Sequence, residues 1–443
     1  MPTLSALFTN PAFIGVLVMC ALCLVRCNVL IALFASALIA GVISGASVDD
    51  TLNTLIKGMS SNLEIALSYI LLGFLAAAIA KSNIIALAIH KLTHILSHRL
   101  FGSSVLFCLI IAAFACLSQN LIPVHIAFIP ILIPPLLGIM NMMKLDRRAI
   151  ACALTFGLKA PYITLPVGYG LFFHQTIIKE MNKNGFSITL DDTSGVLWIG
   201  GVAMLLGLII AVVAFCARPR EYRERAIEMQ ENRIKHTKIG FSDISIIVGA
   251  FVAFGIQIYT SSMPLGAFAG IVIMLLGRGI LWRDMDNIVD DGIKLMGFIA
   301  FVMLLAAGFG EVLKSSGAVD ELIRICSLVV GGKLGGAVLM LVLGLLITMG
   351  IGSSFGTISI IATFYCPLCM ELGFGVESSI LLVGIAAALG DAGSPASDST
   401  MGPTSGLNAD GEHDHIWDTC VPTFLAFNVP LLIAGVIGAM ILG

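Results

Sequence analysis

Apolar blocks recur along the chain at about 12–25, 28–46, 63–80, 103–117, 121–143, 149–178, 196–216, 243–262, 264–281, 295–313, 334–350, 354–372, 376–390 and 420–442. A helix of about 20 apolar residues crosses the hydrocarbon core of a bilayer, so the longer blocks read as spanning helices. Several blocks are too short to span alone. Backbone groups in lipid must be satisfied within the segment, so the pattern predicts an all-α polytopic membrane protein.

The strongly polar interruption is 217–241, where Arg218, Arg220, Arg223, Arg225, Arg233, Lys235 and Lys238 stand against Glu221, Glu224, Glu228 and Glu231. Basic loops stay on the cytoplasmic side, which fixes the frame. Counting back puts 179–195 outside, and the segments with Lys81, Lys91 and Arg99 and with Lys144, Arg147 and Arg148 inside. Counting forward puts Arg278, Arg283 and Lys294 inside and Lys314, Arg324 and Lys333 outside.

A displacement of 233 positions carries landmarks of the first half onto the second. Leu71-Leu72 falls on Leu304-Leu305, Lys81-Ser82 on Lys314-Ser315, Gly102 on Gly335, Pro134 on Pro367 and Gly157 on Gly390. The topology places an odd number of crossings between the copies, so the fold class becomes two inverted-topology repeats. The expected divisions are N-terminal transmembrane helices over 1–62, repeat 1 over 63–216, a cytoplasmic basic loop with a connecting helical hairpin over 217–294, and repeat 2 over 295–443.

Composition then narrows the function classes. The chain is 58% hydrophobic and 12% charged with a mean hydropathy of +1.02, against about 25% charged in soluble domains, which excludes a soluble enzyme. A net charge of -3 without long like-charge runs argues against a nucleic-acid partner. The 11 cysteines lie mostly in or beside apolar blocks, where Cys packs as a small hydrophobe. Cys20/Cys23 and Cys366/Cys369 lack the additional ligands of a structural zinc site, and no metal is expected. Met1 to Asn10 carries no basic n-region, so no cleaved signal peptide is expected.

Transporters with inverted repeats bind cargo near the midplane, where interrupted helices expose half-helix ends and free backbone groups. Polar breaks inside apolar blocks are therefore the candidate sites. One pair is Ser118, Gln119 and Asn120 running on to His125, matched by Gly350 through Ser353, Ser354 and Thr357. Each lies between short apolar arms and reads as the tip of a re-entrant helical hairpin. The other pair, Gly157 through Gly170 and Gly390 through Thr400, reads as broken helices. In the last stretch Asp391, Ser394, Ser397, Asp398, Ser399 and Thr400 supply carboxylate and hydroxyl oxygens suited to Na+, and either acid could instead carry a proton. Lys159 could pair with one of these acids, bind a substrate carboxylate, or snorkel to the interface.

No Lys or Arg occurs from Leu334 to Gly443, so acids there need a basic partner from elsewhere or from a ligand. Asp410, His413, Asp414, His415 and Asp418 form an accessory cluster that could attract a cation or respond to pH, or be a solvated loop. His125 and His174 read as satisfied structural histidines, with proton relay as the alternative. Leu389-Gly390-Asp391 approaches an intramembrane aspartyl protease motif but has Ala388 where that motif begins with Gly. Neither His-Glu-x-x-His nor a P-loop occurs, so no enzymatic activity and no primary pump is expected.

The run Gly352-Ser353-Ser354-Phe355-Gly356-Thr357 and the Gly-Asp-x-x-Ser-Pro-x-Ser-Asp core at Gly390 to Asp398 resemble the NhaC-type Na+/H+ antiporter family of the ion transporter superfamily. The continuation from Gly402 through Asp410 to His413-Asp414-His415-Ile416-Trp417-Asp418 is similar to a branch with proposed amino-acid, notably histidine, permeases. Ala392-Gly393 stands where the antiporters often carry a bulkier polar pair. The resemblance implies inverted repeats with hairpins and broken helices, a scaffold and a moving transport domain, and a homodimer. It also implies that the hairpin tips and the Asp391 to Thr400 stretch hold cation and substrate.

The expected function is an ion-coupled secondary transporter of the bacterial inner (plasma) membrane, driven by Na+ or H+ and carrying a small amino acid such as histidine. The alternative is a Na+/H+ antiporter without an organic substrate. No cofactor is expected beyond the coupling ion, and the partners are the lipid bilayer and a small-molecule or ion substrate.

Overall fold

Every apolar block that falls among described residues forms helix. The computed structural model describes residues 9–25, 27–60, 62–80, 103–120, 129, 132–223, 240–260, 262–318, 321, 332–351, 353–395 and 397–443. Residues 121–125 of the first expected hairpin tip, His125 among them, and most of the basic loop lie outside these residues.

The first half comprises α1 (Pro11–Leu24), α2 (Val29–Ile43), α3 (Val48–Ser60), α4 (Leu63–Ala80), α5 (Ser104–Asn120), α6 (Pro134–Met142), α7 (Arg147–Thr164), α8 (Tyr169–Lys183) and α9 (Leu190–Cys216). Then come α10 (Phe241–Thr260), α11 (Met263–Leu276), α12 (Met285–Ser315), α13 (Lys333–Ile351), α14 (Ser354–Glu371), α15 (Val376–Ala388) and α16 (Asp398–Leu407). The last helix, α17, runs from His415 to Ile441 and contains π-helical stretches at His415–Cys420 and Phe424–Asn428.

The apolar pattern passes over α3. Its first turn carries Asp49 and Asp50 and its last turn Lys57, while Thr51, Leu55 and Gly58 turn inward against α12. A helix apolar on one stripe only is invisible to a search for continuous apolar runs. In contrast, α9 is apolar all round. It buries Ala203, Met204, Gly207, Leu208 and Ala211 and exposes Leu205, Leu206, Ile209, Ile210 and Val213, the face that lipid covers.

The 233-residue displacement recurs in the packing. Helices α5, α7 and α9 pack on one another, as do their counterparts α13, α15 and α17, and the counterparts α4 and α12 pack side by side across the two halves. Helices α13 and α14 form a tight hairpin. Tyr365 of α14 hydrogen-bonds the Met340 carbonyl of α13, and Gly336 at the start of α13 lies against Leu372 just beyond α14, so the two arms run antiparallel.

Both breaks occur, each shorter than the sequence predicts. The first is confined to 165–168 and bends α7 against α8 by 51°. Gly157 to Pro161 stays helical, because Pro161 removes only one N–H near the end of α7. The second begins at 389, and helix resumes at Asp398 because Ser397 caps it, accepting from Ser399 N at 3.1 Å. Ser118, Gln119 and Asn120 are likewise helical, the last residues of α5, and their side chains lie outside the described ones.

Candidate functional site

Positive φ at Gly390 (+83°) and Gly393 (+103°) turns the chain out of α15. A Cβ on Gly390 would stand 2.3 Å from the Leu345 carbonyl, and one on Gly393 2.5 Å from Cβ of Phe424, so only glycine allows both the torsion and the approach. The freed backbone is then tied down from α17. Asn428 accepts from Gly390 N at 2.9 Å and donates to the Ala392 carbonyl at 2.7 Å. From α7, Thr155 donates to the Ser399 carbonyl at 2.8 Å.

This scaffold holds Asp391 at the N-terminus of α14. Its Oδ2 accepts from Ser354 Oγ at 2.6 Å and from Ser354 N at 3.2 Å, and its Oδ1 accepts from Ser397 Oγ. Ser399 donates to the Asp391 carbonyl at 3.1 Å and lies 2.9 Å from Ser397 Oγ. A helix N-terminus presents unpaired N–H groups and a positive dipole end, so a carboxylate is stabilised there. The positive partner is Lys159, whose ammonium is in direct ion-pair contact with Asp391 Oδ2. Lys159 also donates to Tyr162 OH at 2.6 Å and Ser354 Oγ at 3.1 Å. Lys159 and Asp391 are 2% and 6% exposed, so the lysine is a buried partner and does not snorkel.

Asp398 stands beside this pair with a different role. It is half-buried, lies within Coulombic reach of Lys159, Tyr69 and Tyr169, and accepts no hydrogen bond among the described residues. Among the described residues Lys159 is the cation set against two carboxylates, which together carry a net charge of about -1 when all three groups are ionised.

Other predicted residues support the turn. Ser394 donates to the Met349 carbonyl at 2.8 Å, Thr400 to the Ser394 carbonyl at 2.5 Å, and Ser353 caps α14 while Thr357 donates to the Ser353 carbonyl at 3.0 Å. His174 is satisfied by Thr193 at 3.0 Å and the Ile163 carbonyl at 3.1 Å, as a structural histidine should be.

Among the described residues the accessory cluster reaches the break only through His415, whose Nε2 lies 3.0 Å from the Pro395 carbonyl, and two of its acids, Asp410 and Asp418, are already paired with arginines while Asp414 caps the start of α17. Arg147, fully buried at the start of α7, forms a two-pronged pair with Asp410 at 2.7 and 2.5 Å. Arg220 pairs with Asp418 at 2.6 Å. The basic partner that the second half lacks thus comes from the first half and from the linker. Burial alone would push the Asp410 carboxyl up, but the Arg147 bond and charge outweigh it and hold Asp410 below the usual carboxylate value.

A shell of rings is the feature that the sequence did not disclose. Phe355, one residue past Ser354, is surrounded by Tyr69, Tyr162, Tyr169, Phe172 and Phe173, with ring centroids 4.9 to 5.9 Å from its own. The Lys159 ammonium stands 5.2 Å from the Tyr162 ring centre. Aromatics count as apolar in a periodicity scan, but Tyr162 and Tyr169 flank the first break, a signal that could have marked them.

A model described as the Na+/H+ antiporter family matches residues 153–436, which span both breaks, the hairpin and the Asp391 network. The chain belongs to the Na+/H+ antiporter family. A further Na+-H+ antiporter family model matches residues 10–96. Among relatives, the membrane protein VP2115 of Vibrio parahaemolyticus is 45% identical over 446 residues, covering 98% of this chain and 100% of that one. A membrane protein of Haemophilus influenzae is 44% identical with the same coverage. YuiF of Bacillus subtilis, whose name proposes an amino acid transporter, is 45% identical over 447 residues, again covering 98% and 100%.

Among solved structures, MtrF of Neisseria gonorrhoeae, described as illuminating a class of antimetabolite efflux pumps, matches with a TM-score of 0.53 at 13% identity, over 88% of this chain and 84% of that one. The YdaH transporter of Alcanivorax borkumensis, described as having an unusual topology, matches with a TM-score of 0.59 at 13% identity, over 88% and 89%. At that identity the likeness concerns the fold. This antiporter-family chain is an integral membrane protein and a secondary transporter.

Proposed function

We propose that this protein is an ion-coupled transporter of a small amino acid, such as histidine, across the plasma membrane, with Na+ or H+ as the coupling ion. The observation that carries this reading is the buried Lys159–Asp391 pair at the N-terminus of α14, with Asp398 beside it. The pair is an internal zwitterion. An amino acid can take its place, its carboxylate on Lys159 and the α14 N-terminus and its ammonium on Asp391 and Asp398, without leaving a buried charge unpaired. The recurrent packing of α5, α7, α9 and α13, α15, α17 supports two inverted repeats around this centre. The name of YuiF points to the same substrate class.

Coupling follows from charge. Either acid can carry a proton, or the carboxylate of Asp391 with the hydroxyls of Ser354, Ser397 and Ser399 can hold Na+ through oxygen alone. Uptake of labelled histidine by proteoliposomes tests the reading. A sodium or pH gradient should drive accumulation above the outside concentration, and no accumulation of any amino acid under either gradient would refute it.

The family match and the serine hydroxyls on both oxygens of Asp391 favour one second reading, a Na+/H+ antiporter without an organic substrate. In that mechanism Na+ displaces the Lys159 ammonium from Asp391. It predicts sodium-driven proton flux in vesicles free of amino acids.

A further inference from the structure

Two thiols from different helices meet near the basic end of the molecule. Cys108 of α5 and Cys216, the last residue of α9, are 108 positions apart in the chain, and their Sγ atoms stand 3.7 Å from each other. Both are free thiols, Cys108 fully buried and Cys216 half-buried. The chain passes from Cys216 directly into the linker, and the Arg148 guanidinium stands 4.8 Å from the ring centre of Phe215. The sequence places this end in the cytoplasm, where cysteines are held as thiols in the resting cell. Sulfurs at this separation are in van der Waals contact, so small torsions about the two Cα–Cβ bonds suffice to join them.

The pair closes over α7, the helix on which both α5 and α9 pack. A Cβ on Gly157 of α7 would stand 2.3 Å from Cβ of Ala115 in α5, and one on Gly201 of α9 would stand 2.0 Å from Thr164 Oγ1 in α7, so neither neighbour leaves a gap. Cys152 of α7 lies within Coulombic reach of Cys108, which puts the thiol pair at the level of the second turn of α7. Lys159 lies about 10 Å further along the same helix, at 1.5 Å per residue, and Tyr162 follows within the next turn.

We infer that Cys108 and Cys216 are a site of reversible oxidation, forming a disulfide that ties α5 to α9 across α7 and slows transport when the cytoplasm meets hydrogen peroxide. The half-buried Cys216 is the thiol that peroxide reaches first. Its sulfur, as thiolate, attacks one peroxide oxygen, the O–O bond breaks, and the departing hydroxide takes up the thiol proton as water, leaving a sulfenic acid. Cys108 then attacks that sulfur, the S–O bond breaks, and a second water leaves with the Cys108 proton. The two sulfurs have together given up two electrons, and one peroxide has become two waters. A reducing thiol restores the pair by exchange. The bond bears on transport through α7. Alternate access to the Lys159–Asp391 pair requires α7 and its break at 165–168 to shift against their neighbours, and a covalent tie between those neighbours removes their freedom to part.

The effect on transport rests on the transporter reading, and the test separates the two. The full-length wild type, Cys108→Ser and Cys216→Ser would be treated in proteoliposomes with hydrogen peroxide and then with dithiothreitol. Linked peptides would be identified by mass spectrometry, with labelled L-histidine uptake and sodium-driven proton flux measured at each stage. The wild type should yield a peptide joining Cys108 to Cys216, lose about tenfold or more of its transport rate and recover it with dithiothreitol, while both serine variants keep their rate throughout. The oxidised wild type should also melt higher, because the bond restricts the unfolded chain. Absence of the linked peptide would overturn the inference, as would a linked peptide at full transport rate or an equal loss of rate in the serine variants. A linked peptide in a protein that carries neither histidine nor protons at any stage would refute the transporter reading, and with it the effect on transport, while upholding the pair as the site of oxidation.

Discussion

Lys159 and Asp391 are each tolerable in the membrane interior only because the other is there. Breaking a buried ion pair strands a charge and costs about 3–5 kcal/mol, whereas removing both charges is often neutral. Lys159→Met should therefore lower the melting temperature of the purified protein sharply, and Lys159→Met with Asp391→Asn should recover most of the loss, while neither transports. Equal destabilisation in the single and double variants would show that the pair is not what Lys159 contributes. Asp398 makes no hydrogen bond among the described residues, so Asp398→Asn should leave thermal stability near that of the wild type and remove ion coupling. Unchanged accumulation of substrate against a gradient in Asp398→Asn would exclude it from the site.

At the scale of elements, Asn428 of α17 ties both the Gly390 N–H and the Ala392 carbonyl of the second break. Removing it leaves the Gly390 N–H and the Ala392 carbonyl without their partner, at about 1–3 kcal/mol for each buried group. Asn428→Ala should lower the melting temperature and slow transport, and amide exchange at Gly390 should rise with it. Wild-type protection at Gly390 would mean that the break does not depend on α17.

The break itself was legible because Gly390, Asp391, Gly393 and Ser394 interrupt an apolar run. Asn428 was not, since it is a lone amide in an otherwise apolar helix and its partners lie 38 and 36 positions away. The same holds for Arg147 and Asp410, paired across 263 positions. Periodicity reports which face of an element is buried, and it carries no record of which distant residue meets it. The amphipathic α3 was missed for the opposite reason, because its buried stripe is too narrow to raise the local hydropathy.

Across the whole molecule, Arg220 and Tyr222 at the start of the linker are clamped to both halves. Arg220 pairs with Asp418 of the second half and donates its backbone N–H to the Lys144 carbonyl of the first at 3.0 Å, and Tyr222 receives the N–H of Arg147 at 2.9 Å. With Arg147–Asp410 this makes the basic end of the molecule an electrostatic joint. Asp410 is held below its unfolded pKa, so it contributes stability above the usual aspartate value of about 3.9 that is lost as pH falls through its folded value. Asp410→Asn should melt lower than the wild type at pH 7 and show a flatter decline on acidification. An acid limb identical to that of the wild type would remove Asp410 from the joint.

The most direct test of the central claim, that the Lys159–Asp391 pair is the place where an amino acid binds, is ligand-induced thermal stabilisation. The wild type and the Lys159→Met with Asp391→Asn variant would be melted with each of the twenty amino acids, with and without Na+. A ligand that binds the folded state raises its stability by mass action. The predicted result is a rise in melting temperature with histidine or another amino acid in the wild type and none in the double variant. Equal stabilisation of both proteins would place the ligand elsewhere, and stabilisation of the wild type by Na+ alone would leave the antiporter reading in its place.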